Sequence, residues 1–207
     1  MRVVLGSTSP ARLMLLRSSG IEPELASPGI DETAAVNAES ARLGRPLEAT
    51  ETVSMLARLK AEAVARGLGG EPALVIGGDS VFAIDGDVHG KPRHADIARQ
   101  RWQQQRGRTG VLHTGHWLID TATGRGLGAV DTATVTFASD LDDAEIEAYL
   151  ASGEPLSVAG AFTLDSLGSA FIDRIHGHPS TVVGMSLPVL RRLVRELGHE
   201  WTDLWSR

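Results

Sequence analysis

Side chains suited to phosphate chemistry first occur in the segment Gly6-Ser7-Thr8-Ser9-Pro10-Ala11-Arg12, where three hydroxyls precede an arginine. Ser9 and Pro10 are typical of the first residues of a helix. A helix N-terminus attracts anions through its free N–H groups and the helix dipole. The segment therefore makes Ser7 and Arg12 candidate phosphate ligands, although the local pattern alone somewhat favours a plain helix cap with a surface arginine. It lacks the Gly-x-x-x-x-Gly-Lys-Ser/Thr pattern of a Walker A loop.

A second group of candidates follows a predicted strand, at Ile76-Gly77-Gly78-Asp79-Ser80. Two glycines leave the backbone next to Asp79 open to a ligand. The carboxylate could bind a hard cation or act as a base toward water. Beyond one predicted hairpin, Lys91 in Gly90-Lys91-Pro92 would supply a point charge to phosphate. An Asx turn at Asp79 and a surface lysine fit the same pattern about as well.

Two adjacent carboxylates, Asp31 and Glu32, follow Gly29 and Ile30. Such a pair in a loop can hold Mg²⁺ or Mn²⁺, which prefer oxygen ligands. An acidic pair at the start of a helix is the alternative, and it is common. Lys60 falls within a predicted helix and is, by itself, an ordinary exposed lysine. The local pattern leaves both metal binding and a structural role open for this group.

A segment of small residues at 159–168 would let the backbone approach a flat ligand. It contains Phe162, which could pack on a base, although a core position is the better interpretation of this side chain. Four histidines invite a zinc hypothesis, but no His-x-x-x-His helix and no cysteine supports it. Solvated or core positions are expected for these histidines, which are His113, His116, His176 and His178.

The composition of the whole chain narrows the classes of protein further. The 207 residues include 20 Lys and Arg against 26 Asp and Glu, which gives a net charge of −6. This balance argues against bulk nucleic-acid binding, which needs a basic surface. The lack of cysteine in the sequence excludes a thiol nucleophile, Fe–S clusters and thiolate zinc sites. Because no apolar run approaches the roughly 18 residues of a membrane helix, we expect a cytoplasmic protein without membrane contact.

Strands and helices alternate along the chain in the way expected of an α/β fold. Apolar runs and turn signals predict strands at 2–5, 73–77, 81–84, 111–120, 130–137 and 170–175. Apolar periodicity and capping residues predict helices from Pro10 to near Gly20 and at 48–67, 95–106, 142–151 and 186–198. The elements do not follow a strict βαβ order. This favours a mixed sheet with helices on both faces.

Taken in order, these segments resemble the Maf (septum formation) family of nucleotide pyrophosphatases over nearly the whole chain. The resemblance rests on an ordered set of motifs, each of which is weak by itself. They are LGSTSPARLMLL at the start, DE at 31–32, LARLKAEAVA at 56–65, IGGDSVFAIDGDVHGKP at 76–92, SGEPLSVAGAFTLDSLGSAFI at 152–172 and IHGHPSTVVGMSLPVL at 175–190. The sequence resembles the actinobacterial branch of the family most, because that branch has the late motif FTLD in place of the commoner YGIQ.

The resemblance implies a single elongated α/β domain over residues 1–207, related to inosine triphosphatases, with two lobes around a cleft. It implies hydrolysis of a nucleoside triphosphate to the monophosphate and pyrophosphate with a divalent metal, Mg²⁺ or Mn²⁺. Non-standard nucleotides are candidate substrates, as expected of a house-cleaning enzyme. A homodimer is compatible with the family, although no feature of the sequence specifies one.

Carried over residue by residue, the resemblance makes Asp79 the catalytic base and, together with Glu32, a metal ligand. It implies that six residues bind the substrate, namely Ser7, Arg12, Lys60, Ser80, Lys91 and Asp165. These roles are chemically consistent with one another. Attack of water on an α-phosphorus needs a base, a cation to hold the charged oxygens and basic side chains that clamp the phosphates.

Three positions depart from the family pattern. Ala11 stands where an arginine is usual, Asp165 where a glutamine is usual, and Val158 where a lysine is common. In the branch specific for dTTP and UTP, that arginine and that glutamine are linked with substrate choice. The departures therefore weaken a dTTP or UTP preference here. An unpaired buried polar group costs on the order of 1–3 kcal/mol, enough for roughly tenfold to hundredfold discrimination between bases.

Two other functions stay open on the sequence alone. The name of the family suggests a nucleotide- or nucleic-acid-binding regulator of cell division that requires no turnover. A soluble α/β scaffold with a vestigial site would also accommodate Ala11 and Asp165, although the intact acidic and basic positions argue against it.

Overall fold

The computed structural model describes residues 1–206, which form strands and helices in alternation. The strands are β1 (Val3–Gly6), β2 (Glu24–Leu25), β3 (Leu74–Ile84), β4 (Asp87–His89), β5 (Thr109–Asp120), β6 (Arg125–Phe137) and β7 (Ile172–His176). The α-helices are α1 (Pro10–Ser18), α2 (Glu32–Leu43), α3 (Ala49–Gly67), α4 (Ala95–Gln105), α5 (Asp143–Ala151), α6 (Pro179–Val183) and α7 (Leu187–Leu197). Short 3₁₀ helices lie at Glu154–Ser157, Ala159–Ala161, Leu167–Phe171 and Trp201–Leu204. Within residues 1–206, no helix combines the length and the apolar character needed to cross a membrane.

The strands form a mixed sheet in the order β2-β1-β3-β5-β6-β7, with β4 paired to β3. β1 runs parallel to both β2 and β3, and Gly6 lies opposite Gly77. β4 runs antiparallel to β3, and β7 runs antiparallel to β6. Parallel and antiparallel pairing in one sheet, with helices between the strands in the chain, confirms the predicted mixed α/β fold.

The chain divides into two compact units, of which the first comprises residues 1–79, residues 114–131 and the chain from Gly184 onward. Its apolar interior includes a cluster of β1, β3 and α3 side chains, among them Val4, Val64 and Val75. These side chains are 5% exposed or less, so the strands and the helix that carry the candidate residues are packed tightly together.

The second compact unit comprises residues 80–113 and 132–183 and has an aromatic core. The rings of Phe82, Phe137 and Phe162 pack edge to face, with centroids 5.0–5.8 Å apart. Trp102 packs on Phe137 and donates its indole N–H to the carbonyl oxygen of Ala161 at 2.8 Å. The prediction that Phe162 is a core residue is confirmed.

The predicted elements lack β2, α2 and α6, and they differ from the structure in β3 as well. The sequence predicts strands at 73–77 and 81–84 with a break between them, whereas Leu74–Ile84 is one strand of 11 residues. A Cβ at Gly77 would lie 2.2 Å from the carbonyl oxygen of Ala57, so this glycine permits close approach of α3 and does not end the strand. Asp79 consequently lies inside a strand, and the prediction that it ends one is wrong.

A second departure is the extent of β6, which begins at Arg125 and not near 130 as predicted. A Cβ at Gly128 would lie 2.2 Å from Cε3 of Trp117. The glycine here makes room for an aromatic ring on the neighbouring strand, although in the sequence it resembles part of a loop.

The helix α3 places Lys60 among buried side chains. It begins with a capping box formed by Glu48 and Glu51, in which each side chain accepts the other residue's backbone N–H. The apolar residues of α3 recur at helical spacing and are buried along one face, and Lys60 falls on that face. Lys60 is therefore not the exposed helix lysine that its local sequence indicates.

Candidate active site

Lys60 connects two carboxylates in the first compact unit. Its Nζ lies 2.6 Å from Oδ1 of Asp79 and 2.7 Å from Oε1 of Glu32. The side chains of Lys60 and Asp79 are buried, whereas 50% of the Glu32 side chain is exposed. Three candidates that lie far apart in the sequence, on α3, β3 and α2, therefore meet at one ammonium group.

The guanidinium of Arg12 belongs to the same buried group. Its Nε donates a hydrogen bond to the carbonyl oxygen of Gly184 at 2.8 Å, and its Nη1 donates one to Oγ of Ser7 at 3.1 Å. A Cβ at Gly78 would lie 3.2 Å from Nε. The lack of a side chain at Gly78 thus lets the guanidinium lie against β3, at the residue before Asp79.

The turn between β1 and α1 fixes Ser7 relative to Arg12. Ser9 occupies the N-cap position of α1, but in the described part of the chain its side chain makes no capping hydrogen bond. Oγ of Ser7 instead accepts the backbone N–H of Ser9 at 3.2 Å in addition to the guanidinium. The start of α1 at Pro10 confirms the predicted turn and helix, while the hydroxyl that organises the turn is that of Ser7.

Two cations and two carboxylates meet in this group. Burial raises the pKa of Asp79, and the positive charges of Lys60 and Arg12 oppose that rise. Burial lowers the pKa of Arg12, and the charges of Asp79 and Glu32 oppose that change. A buried carboxyl whose pKa is raised while it contacts cations is a common arrangement at catalytic sites, because burial makes the carboxylate a stronger base.

Asp79 and Glu32 supply hard oxygen ligands of the kind that Mg²⁺ and Mn²⁺ prefer. Within residues 1–206, no group of three or more His, Cys, Asp or Glu side chains is arranged to hold a metal ion. Mg²⁺ is commonly bound through one or two carboxylates together with substrate phosphates. The two carboxylates therefore fit a metal that is also held by phosphate oxygens.

The adjacent Asp31 has a structural role. Its Oδ1 accepts the backbone N–H of Ala34 at 2.9 Å and caps α2, whose first residue is Glu32. The helix-start alternative for this acidic pair is therefore confirmed for Asp31, while Glu32 contacts Lys60. The only sequence signal for α2 was the acidic pair itself, which is common at the start of a helix. The few apolar residues of α2 give no strong helical periodicity.

Three further candidates, Ser80, Lys91 and Asp165, belong to the second compact unit. Ser80 follows Asp79 in β3 and is partly buried. Lys91 lies just after β4, and both Lys91 and Asp165 are exposed. Their participation in a substrate site stays a prediction from the sequence.

The segment 163–168, which carries Asp165, is organised by Glu154. Oε1 of Glu154 accepts hydrogen bonds from the hydroxyls of Tyr149 and Thr163 and from the backbone N–H of Gly168. Burial alone would raise the pKa of Glu154, but the hydrogen bonds to its oxygens lower it to about 2. Sequence reasoning did not identify this residue, because its partners lie at spacings that match no motif.

His116 is a second residue whose role the sequence did not reveal. It is buried, its Nε2 accepts the backbone N–H of Ser186 at 2.7 Å, and its Nδ1 lies 3.2 Å from the carbonyl oxygen of Ala129. The expected core position is confirmed for this histidine. Both ring nitrogens are engaged by the backbone, which leaves neither to bind zinc.

Over nearly its whole length the chain is similar to known proteins. The family model described as "Maf-like protein" matches residues 2–197. A protein of Leifsonia xyli subsp. xyli is 61% identical over 100% of this chain and 98% of its own length. Proteins of Salinispora tropica and Thermosynechococcus vestitus are 50% and 47% identical, over 100% and 99% of this chain and 88% and 98% of their own lengths.

Each of these three relatives is named a nucleoside triphosphate pyrophosphatase, a hydrolase that acts on nucleoside triphosphates. The family model covers all of the residues of the buried group and the segment around Asp165. The resemblance predicted from the motifs is therefore confirmed, and the chain belongs to the Maf family.

Proposed function

We propose that the protein hydrolyses a nucleoside triphosphate to the monophosphate and pyrophosphate, with Asp79 as the general base. The observation that carries this proposal is the position of the Asp79 carboxylate, buried beside the Lys60 ammonium and within the field of the Arg12 guanidinium. The names of the relatives support the same reaction.

In the proposed reaction, Asp79 accepts a proton from a water molecule that attacks the α-phosphorus. A bond forms between the water oxygen and phosphorus, and the bond from phosphorus to the α,β-bridging oxygen breaks, so that pyrophosphate leaves with that oxygen. The raised pKa of Asp79 makes its carboxylate a stronger base toward this water than an exposed aspartate would be. Arg12 and Lys60 stabilise the charge that develops on the phosphate oxygens.

A divalent cation, Mg²⁺ or Mn²⁺, supplies further neutralisation of phosphate charge when it is bound. We assign its protein ligands to Asp79 and Glu32, since both carboxylates contact the ammonium group of Lys60 and offer the oxygen atoms that such ions prefer. Lys60, which contacts both carboxylates, would hold them in place for this role.

The remaining candidates complete the substrate site in this proposal. Ser7, held by Arg12, donates its hydroxyl hydrogen to a phosphate oxygen. Ser80 and Lys91 contribute a hydroxyl and a point charge to the phosphates. Asp165 accepts hydrogen bonds from the edge of the base, which would favour a base that presents donors and disfavour a simple dTTP or UTP preference.

We further propose that the substrates, including non-standard nucleotides, are drawn from the cytoplasmic pool, and that the protein acts as one domain. On the basis of family membership, we also propose that the protein forms a homodimer. Size-exclusion chromatography with light scattering would decide between a monomer and a dimer, since the mass of one chain is 22.0 kDa.

The decisive experiment incubates the purified protein with a panel of standard and modified nucleoside triphosphates, with Mg²⁺, with Mn²⁺ and with EDTA. Pyrophosphate and the nucleoside monophosphate should appear in equal amounts, only when a divalent cation is present. Orthophosphate as the first product would show that cleavage occurs at another phosphate. No pyrophosphate from any nucleotide would refute the proposed activity.

A further inference from the structure

We infer that His116 is a positioning residue for Arg12, acting through the backbone of residues 184–186. The inference rests on the proposed function only in taking Arg12 as a phosphate ligand. His116 itself is too deeply buried, at 1% exposure, to touch a substrate. Its two hydrogen bonds and those of Arg12 form one connected path within the first compact unit.

The path begins at the imidazole ring of His116, whose tautomer is fixed by its two hydrogen bonds. A carbonyl oxygen can only accept, so the contact of Nδ1 with the oxygen of Ala129 places the hydrogen on Nδ1. Nε2 is then unprotonated and accepts the backbone N–H of Ser186 at 2.7 Å. The imidazole is neutral in this arrangement, and burial accordingly lowers the pKa of His116 to about 4.

The second step is the segment 184–186, which enters α7. Ser186 is the N-cap residue of α7, yet within residues 1–206 its buried hydroxyl has no hydrogen-bond partner. The segment is therefore anchored by the backbone N–H of Ser186 on His116, and by Met185, which is fully buried. Gly184 has a φ of +118°, a conformation that other residues adopt only with strain.

The third step is the contact of Gly184 with Arg12. The carbonyl oxygen of Gly184 accepts the Nε–H of Arg12 at 2.8 Å, while Oγ of Ser7 accepts from Nη1. Two acceptors on different atoms fix the plane of the guanidinium as well as its position. A small displacement of Gly184 would thus rotate the guanidinium away from the phosphates. A misplacement of about 1 Å by a distant substitution can cost up to roughly a hundredfold in rate.

The proximity of the two residues is also visible in their electrostatics, because the positive charge of Arg12 contributes to the lowered pKa of His116. A protonated, positively charged His116 would repel Arg12. Its Nε2 would then carry a hydrogen that faces the backbone N–H of Ser186. The neutral imidazole is therefore the form compatible with the positioned guanidinium.

The test is a double-mutant cycle in kcat/KM with His116→Leu, which removes the acceptor, and Arg12→Ala. His116→Leu alone should lower kcat/KM about tenfold to a hundredfold, chiefly through kcat, because Arg12 stabilises charge that develops in the transition state. In the Arg12→Ala background the same substitution should change kcat/KM less than about twofold, because the group it positions is gone. His116→Gln keeps an acceptor near the place of Nε2 and should restore most of the loss.

His199→Leu is the matched control, since His199 is a partly buried histidine of the same unit that pairs with Asp120. Its effect should be the same with and without Arg12. Equal effects of His116→Leu in both Arg12 backgrounds would overturn the inference, as would a His116→Gln variant that recovers folding but no activity.

A second measurement does not depend on hydrolysis and separates failure of this inference from failure of the proposed activity. The Nε–H resonance of Arg12, assigned by its loss in Arg12→Lys, should exchange slowly with solvent in the wild type. In His116→Leu it should shift or exchange measurably faster, whereas in His116→Gln, which keeps an acceptor, it should stay close to the wild-type resonance, a comparison that remains possible where His116→Leu fails to fold. A resonance that exchanges rapidly in the wild type, that is unchanged in a folded His116→Leu, or that is lost in a folded His116→Gln would contradict the positioning role.

Discussion

The Nζ of Lys60 lies 2.6 Å from Oδ1 of Asp79, and both side chains are buried. Lys60 lies on α3 and Asp79 on β3. The two elements approach so closely at Gly77 that no side chain would fit there. Two charges withdrawn from water are retained only where they are paired or serve a function. We therefore expect this buried pair to serve the reaction.

Replacing Asp79 with asparagine removes the proposed base while keeping the shape of the side chain. We expect kcat for pyrophosphate release to fall about a hundredfold to ten-thousandfold, because general base catalysis contributes that much. Nucleotide binding, measured by calorimetry, should persist. An Asp79→Asn variant that retains its turnover would show that Asp79 is not the base, and one that is inactive yet still affects cell division would favour the regulator hypothesis.

The acidic limb of the pH profile of kcat/KM should report the ionisation of Asp79. A base must be ionised, so activity should fall as the pH drops through the raised pKa of Asp79. Lys60 lowers the pKa of Asp79, and therefore Lys60→Gln should move the acidic limb to higher pH as well as reduce the rate. Arg66→Gln, an exposed charge change on the same helix, should leave the limb where it is. A limb that does not move in Lys60→Gln would exclude Asp79 as the group that titrates.

Lys91→Ala should weaken substrate turnover without weakening the fold. An exposed lysine contributes little to stability, and we expect the Tm to change by less than about 2 °C. A lost hydrogen bond from an ammonium to a phosphate should raise KM about tenfold to a hundredfold. Loss of stability in proportion to loss of rate would argue against a role in phosphate binding.

Glu154→Gln tests whether an ionised carboxylate organises segment 163–168. Its pKa of about 2 lies below the ordinary 4.5, so its contribution to folding is present above about pH 4.5 and is lost as the pH falls toward 2. Urea unfolding should show Glu154→Gln less stable than the wild type at pH 7, by about 1–3 kcal/mol. The difference should shrink with acidification. Glu196→Gln, on the exposed side of α7, should show neither effect.

Asp165→Gln tests the contribution of this exposed residue to base preference. A carboxylate only accepts hydrogen bonds, whereas an amide also donates, so the two side chains satisfy different base edges. The ratio of kcat/KM for UTP or dTTP to that for other nucleotides should rise about tenfold in the variant. An unchanged ratio, with normal activity, would place base recognition elsewhere.

The order of most of the elements could be predicted from the sequence, because caps, turns and apolar periodicity are local, whereas β2, α2 and α6 were not among the predicted elements. The start of α1 at Pro10, the hairpin at Asp85-Gly86 and the end of α7 before Gly198 all follow from such signals. The motif order likewise predicted the family that the comparisons confirm.

Local signals failed where a distant element determined the outcome. Gly77 resembles a strand end in the sequence, but it admits α3 and lies within β3. Gly128 resembles part of a loop, but it accommodates the ring of Trp117. A glycine that is selected for a close contact has the same local sequence as one that is selected for a turn.

For the candidate site, the sequence alone determined which side chains could bind phosphate or a hard cation, since that depends on residue type and motif order. Only the tertiary structure decided which of them meet. It separated Asp31, a helix cap, from Glu32, and it buried Lys60 between Glu32 and Asp79. It also connected His116 to Arg12 through the backbone. These relationships depend on packing between residues that are remote in the chain, and a local pattern does not contain that information.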